Sequence, residues 1–347
     1  MKILRFLLIF VPISIVGEFM HFSPTVMFIL SALAIIPLAG IMGEATEEIS
    51  FYSGPRVGGF LNATFGNATE LIIAFFAMQA GLFDVVKASI AGSVIGNILL
   101  VLGASMLMGG IKFKSQTFNK QSIEVSSSML LFAVIGLTVP AIFTHTVAAD
   151  LLNTRYEGLS ITVAIIMFAI YLMSLYFSFY THKDIYAAIP EEEATPKWSL
   201  NKAIAVLIGA TVLIGVESEM FVGAVEPMTE AIGLSEFFVG IILVPIIGNA
   251  AEHSTAIVMA YKNKMDVAME IAIGSSLQMI LFVTPVLIFL SLLFTPMSII
   301  FNEFELVALV LSVLIANRVA SDGESNWLEG VQLLAVYLIM AVSFFIL

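Results

Sequence analysis

Two glutamates in this chain sit in the same five-residue setting. Residues 66–70 read Gly66-Asn67-Ala68-Thr69-Glu70, and residues 248–252 read Gly248-Asn249-Ala250-Ala251-Glu252. The second motif follows the first by 182 positions. The same shift pairs Val57 with Val239, Gly58 with Gly240, Ala74 with Ala256, Asp84 with Asp266, Gly92 with Gly274, Ser93 with Ser275 and Ile98 with Ile280. The chain therefore contains an internal duplication. Each copy sets one carboxylate in an otherwise apolar run, where an ionisable group is costly and marks a functional site by default.

Gly66 and Glu70 are four residues apart, and Asn67 and Glu70 three, so all share one helix face; the same holds for Gly248, Asn249 and Glu252. Glycine weakens a helix, and Pro245 removes a backbone donor three residues before Gly248. Such interruptions free carbonyls, which coordinate cations where broken helices line a cavity. Two carboxylates, amide oxygens and carbonyls form an all-oxygen shell of the kind hard cations such as Ca²⁺ take. Small residues also serve close helix packing, but packing leaves the two glutamates unexplained.

The following stretch of each copy adds Gly92-Ser93-Val94-Ile95-Gly96-Asn97 and Gly274-Ser275-Ser276-Leu277-Gln278-Met279. Ser93 and Asn97 share a face, as do Ser275 and Gln278; they can orient the carboxylates or bind the ion. The alternative for Gly92, Gly96 and the serines is a small-residue packing face. Asn97 and Gln278 are harder to place there, because buried amides need partners. His253 adjoins Glu252 but points about 100° round the helix. It can tune the site or relay protons, or hydrogen-bond away from the ion.

These groups need a scaffold, and composition says where it lies. Of 347 residues, 60% are hydrophobic and 12% charged, against roughly 25% charged in soluble domains. The expected solvent is a lipid bilayer. The net charge of −12 excludes nucleic acid, which needs basic patches. Cysteine is absent, which removes disulfides, thiolate metal sites and cysteine nucleophiles. Lys2 and Arg5 precede an apolar run, but no small-x-small cleavage site follows at Gly17–His21, so no cleaved signal peptide is expected. The histidines His21, His145, His182 and His253 form no HExxH pattern, and no enzyme activity or cofactor is expected.

A span needs about 20 apolar residues. Eleven segments meet that measure, roughly 3–20, 25–52, 57–79, 84–109, 123–144, 157–181, 201–225, 237–261, 266–293, 299–319 and 326–346. The expected fold is an all-α membrane protein of eleven transmembrane helices. It divides into an extra N-terminal helix (1–22), a first five-helix repeat (23–181), an acidic linker (182–199) and a second five-helix repeat (200–347). With the N-terminus inside, the inner loops hold Lys2, Arg5, Arg56, Lys112, Lys114, Lys120, Lys183, Lys197, Lys202, Lys262, Lys264 and Arg318, and the outer ones only Lys87 and Arg155. The positive-inside rule thus predicts a multi-pass protein of the inner or plasma membrane, N-terminus cytoplasmic and C-terminus outside. Five helices per repeat is odd, so the second repeat enters from the opposite side. Inverted repeats of this kind place a transporter's substrate near the midplane, though channels contain them too.

On this topology Glu44, Glu47 and Glu48 lie near the cytoplasmic end of the second segment. Glu230, the shift mate of Glu48, lies near the outer end of the seventh. They are candidate vestibule acids, or solvated helix ends. Glu191 to Glu193 are a plain solvated linker or a regulatory Ca²⁺ site. Glu18 and Glu124 are expected at the interface.

The paired GNATE and GNAAE motifs, followed by GSVIGN and GSSLQM, resemble those of the Ca²⁺/H⁺ exchangers of the cation/Ca²⁺ exchanger superfamily, and the resemblance covers essentially the whole chain. It implies a secondary antiporter that exports cytosolic Ca²⁺ for protons by alternating access. Ca²⁺ is then transported substrate, and a homotrimer in the bilayer is plausible by the same resemblance. It implies that Glu70 and Glu252 are Ca²⁺ ligands and proton carriers. Carbonyls near Gly66 and Gly248 complete the shell, with Asn67, Asn249, Asn97 and Gln278 around it. It also implies that the second and seventh segments slide to open one side at a time. The superfamily's Na⁺/Ca²⁺ exchangers commonly carry a further carboxylate where this chain has Gln278 and Met279, which favours H⁺ as counter-ion. A Na⁺/Ca²⁺ or other cation exchanger remains the alternative, and a divalent-cation channel the next.

Overall fold

Inside a bilayer no water satisfies the backbone, so peptide groups must bond within helices. The computed structural model describes residues 4–144, 152–185 and 195–347, nearly all of them helical. Lys2, His145 and Pro190 to Glu193 lie outside the described residues, as do the side chains of Arg56 and Arg155.

A 3₁₀ turn at Leu4–Ile9 leads into α1 (Phe10–Phe19), followed by α2 (Pro24–Phe65), α3 (Ala68–Gln79), α4 (Phe83–Ile95), α5 (Leu102–Phe113), α6 (Lys120–Thr144) and α7 (Leu152–Tyr176). The second half runs through α8 (Leu200–Gly223), α9 (Val225–Ile232), α10 (Glu236–Phe238), α11 (Val244–Gly248), α12 (Ala250–Tyr261), α13 (Met265–Gln278), α14 (Thr284–Ser291), α15 (Glu303–Val319) and α16 (Trp327–Ile346). π-helical turns join α4 to α5 at Gly96–Val101 and α13 to α14 at Met279–Val283, positions that match under the repeat shift. A third, Val239–Leu243, joins α10 to α11.

Every expected segment is helical, but eleven is not a count of full-length helices. By length and apolarity, seven helices among the described residues reach across a bilayer. An eighth span appears if Val225–Ile232 and Glu236–Gly248, bent by 119°, are taken together. The shortfall has a physical source. The two helices carrying the motifs are broken, so α3 and α12 have only 12 residues each, short of the roughly 20 a span needs; α1, with 10 residues, and α15, with 17, are short as well. In the first copy, α2 runs through two expected segments, with a kink at Gly54, whose φ of 77° suits glycine.

The helices gather into two compact units. One contains Met1–Val86 and His182–Glu252, the other Lys87–Thr181 and His253–Leu347. Each unit thus takes a part of both repeats. In the first, α2 packs along α8, and α1, α3 and α9 pack on one or both of them. Its core joins Val11 of α1, Leu38 and Met42 of α2, Ala68 of α3, and Ala210 and Ile214 of α8. Phe28 stacks on Phe221 across α2 and α8, with ring centroids 4.5 Å apart.

In the second unit, α5 packs on α16, α6 on α13 and α15, and α7 on α14. A two-stranded ribbon, β1 (Ser115–Thr117) and β2 (Glu324–Asn326), pairs antiparallel with Gln116 opposite Ser325. It ties the end of α5 to the start of α16. Asn302 and Asn326 begin α15 and α16 with capping boxes completed by Glu305 and Glu329. The α5–α16 contact is backbone on backbone. A Cβ on Gly330 would strike Leu107 N and stand 2.6 Å from Gly103 O.

Gly330→Val should therefore lower the thermal midpoint of the detergent-solubilised protein, as overpacking costs about 1–3 kcal/mol. Gly209→Val, where nothing lies within 4 Å, should change it little. Equal midpoints would refute the close α5–α16 contact.

Candidate cation site

The site is made where both copies of the motif break their helix. Asn67 has φ −101° and ψ 18°, and Asn249 has φ −94° and ψ 5°, both in the sparsely used bridge region. Immediately after each break a new helix begins, at Ala68 and at Ala250. Glu70 and Glu252 thus fall in the first turns of α3 and α12. The unpaired N–H groups and dipole of a helix start favour negative charge there. Both asparagines are buried, at 1% exposure. Asn249 donates to Pro245 O twice, from its backbone N at 3.0 Å and its Nδ2 at 3.1 Å.

The two copies meet within the first unit. A Cβ on Gly66 would lie 3.2 Å from Glu252 Oε1, and a Cβ on Gly248 would lie 3.1 Å from Glu70 Cγ and 3.3 Å from its Oε1. Each glycine makes room for the carboxylate of the opposite motif. Glu70 is 4% exposed, and among the described residues neither of its carboxyl oxygens has a hydrogen-bond partner. Glu252 is half-buried and acts electrostatically on Glu70. Two carboxylates this close in an apolar interior repel strongly unless a cation or protons compensate them. The functional groups shown beside the two glycines are carboxylates, whose oxygens are the ligand type that hard divalent cations take.

In the second unit, Ser93, Asn97 and Ser275 are buried and Gln278 half-buried. Asn97 Nδ2 donates to Ser275 Oγ at 3.1 Å, and Asn97 Oδ1 lies 3.1 Å from His253 Nε2. An amide oxygen only accepts, so Nε2 carries the hydrogen. His253 therefore engages Asn97, at the π-helical turn of the first repeat.

The candidate vestibule acids differ among themselves. Glu48 is no solvated helix end: it is 5% exposed, and its Oε2 accepts from the backbone N–H of Lys197 at 2.8 Å and of Trp198 at 2.9 Å. Tyr52 Oη donates to Trp198 O at 2.6 Å. One face of α2 thus holds the residues leading into α8. Glu44 pairs with Arg5 at 2.6 Å. Glu47 and Glu230 are exposed. Glu18 is exposed, and Glu124 lies 3.7 Å from Lys120.

One buried acid lies outside every motif. Glu217 of α8 is fully buried, with Ser14 Oγ of α1 2.7 Å from its Oε1. The sequence signal was an acid within an apolar span. The repeat shift hid it, because the matching position is Ile35.

A duplicated helical membrane fold that presents one motif glutamate from each copy is the arrangement of a secondary cation exchanger. Residues 23–180 and 202–346 match the sodium/calcium exchanger protein family, and the chain belongs to that family. The Ca²⁺/H⁺ antiporter ChaA of Bacillus subtilis (strain 168) is 47% identical over 343 residues, covering 97% of each chain. The Ca²⁺/H⁺ antiporter of Aphanothece halophytica is 45% identical, covering 98% of this chain and 95% of its own. The solved structure of native YfkE superposes with a TM-score of 0.87 at 43% identity, over 99% of this chain and all of its own.

Gly66→Ala and Gly248→Ala should each weaken Ca²⁺ binding at least about tenfold, or ~1.4 kcal/mol, because the added methyl displaces the opposite carboxylate. Titration calorimetry on the purified protein reads this directly. Unchanged affinity in both variants would separate the glycines from the site.

Proposed function

We propose that this chain is a secondary-active antiporter that exports cytosolic Ca²⁺ in exchange for protons by alternating access. The observation that carries the reading is the reciprocal packing of Gly66 against Glu252 and of Gly248 against Glu70. Glu70 and Glu252 are the proposed metal ligands and proton carriers. Asn67 and Asn249, with the carbonyls at Gly66 and Gly248, are the proposed remaining oxygen donors. The hydrogen-bonded set of His253, Asn97 and Ser275, with Ser93 and Gln278, is the proposed polar support, beginning one residue after Glu252. Glu44, Glu47 and Glu230 are proposed vestibule acids, and Glu48 an anchor for the start of α8.

The chemistry follows from charge. With both glutamates ionised the site attracts Ca²⁺; with both protonated it is neutral and returns without metal. An empty, doubly charged site faces a large desolvation penalty in an apolar constriction, which couples the two fluxes. Two carboxylates give two protons per Ca²⁺. Support for H⁺ over Na⁺ comes from Gln278 and Met279, which leave the second-repeat helix without a further acid there. Relatives at 47% and 45% identity are Ca²⁺/H⁺ antiporters by name. The reading includes the extra helix 1–22, inverted repeats 23–181 and 200–347 joined by the linker 182–199, a cytoplasmic N-terminus, an outer C-terminus and a homotrimeric assembly. The basic-residue asymmetry supports the orientation, and the family resemblance the trimer.

Uptake of ⁴⁵Ca²⁺ into everted vesicles under an imposed proton gradient, with and without Na⁺, tests the reading. Proton-driven, Na⁺-independent uptake is expected. Dependence on Na⁺ would move the assignment to Na⁺/Ca²⁺ exchange, and downhill flux without proton coupling to a channel.

Glu70→Gln and Glu252→Gln should each abolish exchange while the protein still folds and elutes as wild type from a sizing column. Near-normal exchange by both would sink the site assignment. Ca²⁺ affinity should fall as pH drops, because protons compete with metal for the same carboxylates. Equilibrium Ca²⁺ binding that stays constant across the pH range of transport would exclude a shared site.

A further inference from the structure

The mechanism leaves Glu217 unused, and the hydroxyl that meets its Oε1 has one hydrogen for two acceptors. Ser14 Oγ lies 2.8 Å from Val11 O and 2.7 Å from Glu217 Oε1. Both are hydrogen-bond distances. A carbonyl oxygen only accepts, and a serine hydroxyl has a single hydrogen to give. If Glu217 were ionised, two acceptors would compete for that hydrogen. With a proton on Oε1, the carboxylic O–H donates to Ser14 Oγ and Ser14 donates to Val11 O, so each short contact has its own hydrogen. Among the described residues Oε2 has no geometric hydrogen-bond partner, and neither has the Ser31 hydroxyl of α2, the other hydroxyl that acts on Glu217.

Among the described residues no counter-charge offers the alternative. Helix α8 packs against α1, α2, α3 and α9. Of the described charged groups on these helices, Glu44 is paired with Arg5 and Glu48 holds backbone amides. Glu70 faces Gly248, and Glu18, Glu47, Glu226 and Glu230 are exposed, as are Lys202 and Glu219 on α8 itself. Tyr52, the titratable phenol of α2, bonds Trp198 O. None of them bonds to Glu217 among the described residues. A buried carboxylate with no cation is costly, and a buried carboxylic acid much less so.

An open groove of about 500 Å³ runs along α1 and α8, lined by Ile15, Glu18, Phe19, Val216, Glu219 and Met220 among others. Ile15 and Val216 are the immediate neighbours of Ser14 and Glu217 in sequence.

We propose that Glu217 is a protonation site separate from the Glu70–Glu252 pair, holding a proton in the α1–α8 contact and exchanging it with water through the groove walled by Glu18 and Glu219. Loss of that proton leaves an uncompensated buried charge and loosens α1 from α8. Transport then responds to pH at a group that does not touch Ca²⁺. This consequence rests on the exchanger reading; the protonation does not.

Infrared difference spectroscopy of the purified protein at neutral pH, wild type against Glu217→Gln, is the test. Loss of a carboxylic-acid C=O band is expected. Loss of a carboxylate band instead would overturn the proposal. Ser14→Ala should shift the acid band, because the acceptor of its proton is gone; an unmoved band would break the assigned pairing. In proteoliposomes, Glu217→Gln should move the alkaline limb of the transport profile by more than about one pH unit, and Glu217→Ala should not reproduce a working protein. An unmoved profile would overturn the link to transport. The infrared result stands whether or not the chain exchanges Ca²⁺, so failure here and failure of the exchanger reading are told apart.

Discussion

Two carboxylates are held close to one another inside an apolar protein, and the rest of the first unit accommodates that. A glycine opposite each acid gives the carboxylate its space, since a methyl there would stand 3.1–3.2 Å from it. A helix break before each acid places it in a first turn, where the unpaired amides and dipole favour negative charge. A continuous helix would have buried the same glutamates in mid-span without that help. The break is also why neither α3 nor α12 is long enough to cross a bilayer alone. Shortness of the helix and placement of the charge are one fact seen twice.

The duplication governs more than the motif, but it is not obeyed everywhere. Asn67 and Asn249 adopt nearly the same backbone angles. Glu48 and Glu230, also related by the shift, have opposite surroundings: one is clamped on backbone amides and the other is exposed. Glu217 has no acidic mate at all. The motif positions present the same chemistry from both copies, whereas the Glu48 and Glu230 pair is repeated in sequence alone. The unrepeated ones are those at which the two halves do different work.

Much of this was legible in the sequence. The offset of the two motifs found the paired acids, and the apolar runs found most of the helices, though not α9 at Val225–Ile232. What escaped has a common cause. Spacing reports which residues share a helix face, but not where a helix stops. The breaks at Asn67 and Asn249 were anticipated only as interruptions near Gly66 and Pro245. The kink at Gly54, with helix on both sides, merged two expected segments into one. The role of Glu48 depends on Lys197 and Trp198, about 150 residues away, and no local pattern encodes that contact. The β1–β2 ribbon is three residues per strand, too short for an alternating pattern to register.

The π-helical turns at Gly96–Val101 and Met279–Val283 bear on the history of the chain. A π turn carries one residue more than the α-helical turn it replaces. That extra residue occupies the same place in both copies, and the shift of 182 positions runs through it without a gap. The simplest genealogy puts the insertion before the duplication, in an ancestor of half this length. The turn at Val239–Leu243 has no π-helical counterpart in α2, yet the same shift pairs Val57 with Val239 and Gly66 with Gly248 across it, so there the copies differ in winding and not in residue number. The bulge beside Asn97 is thus common to both copies, and the one preceding Pro245 belongs to the second copy alone.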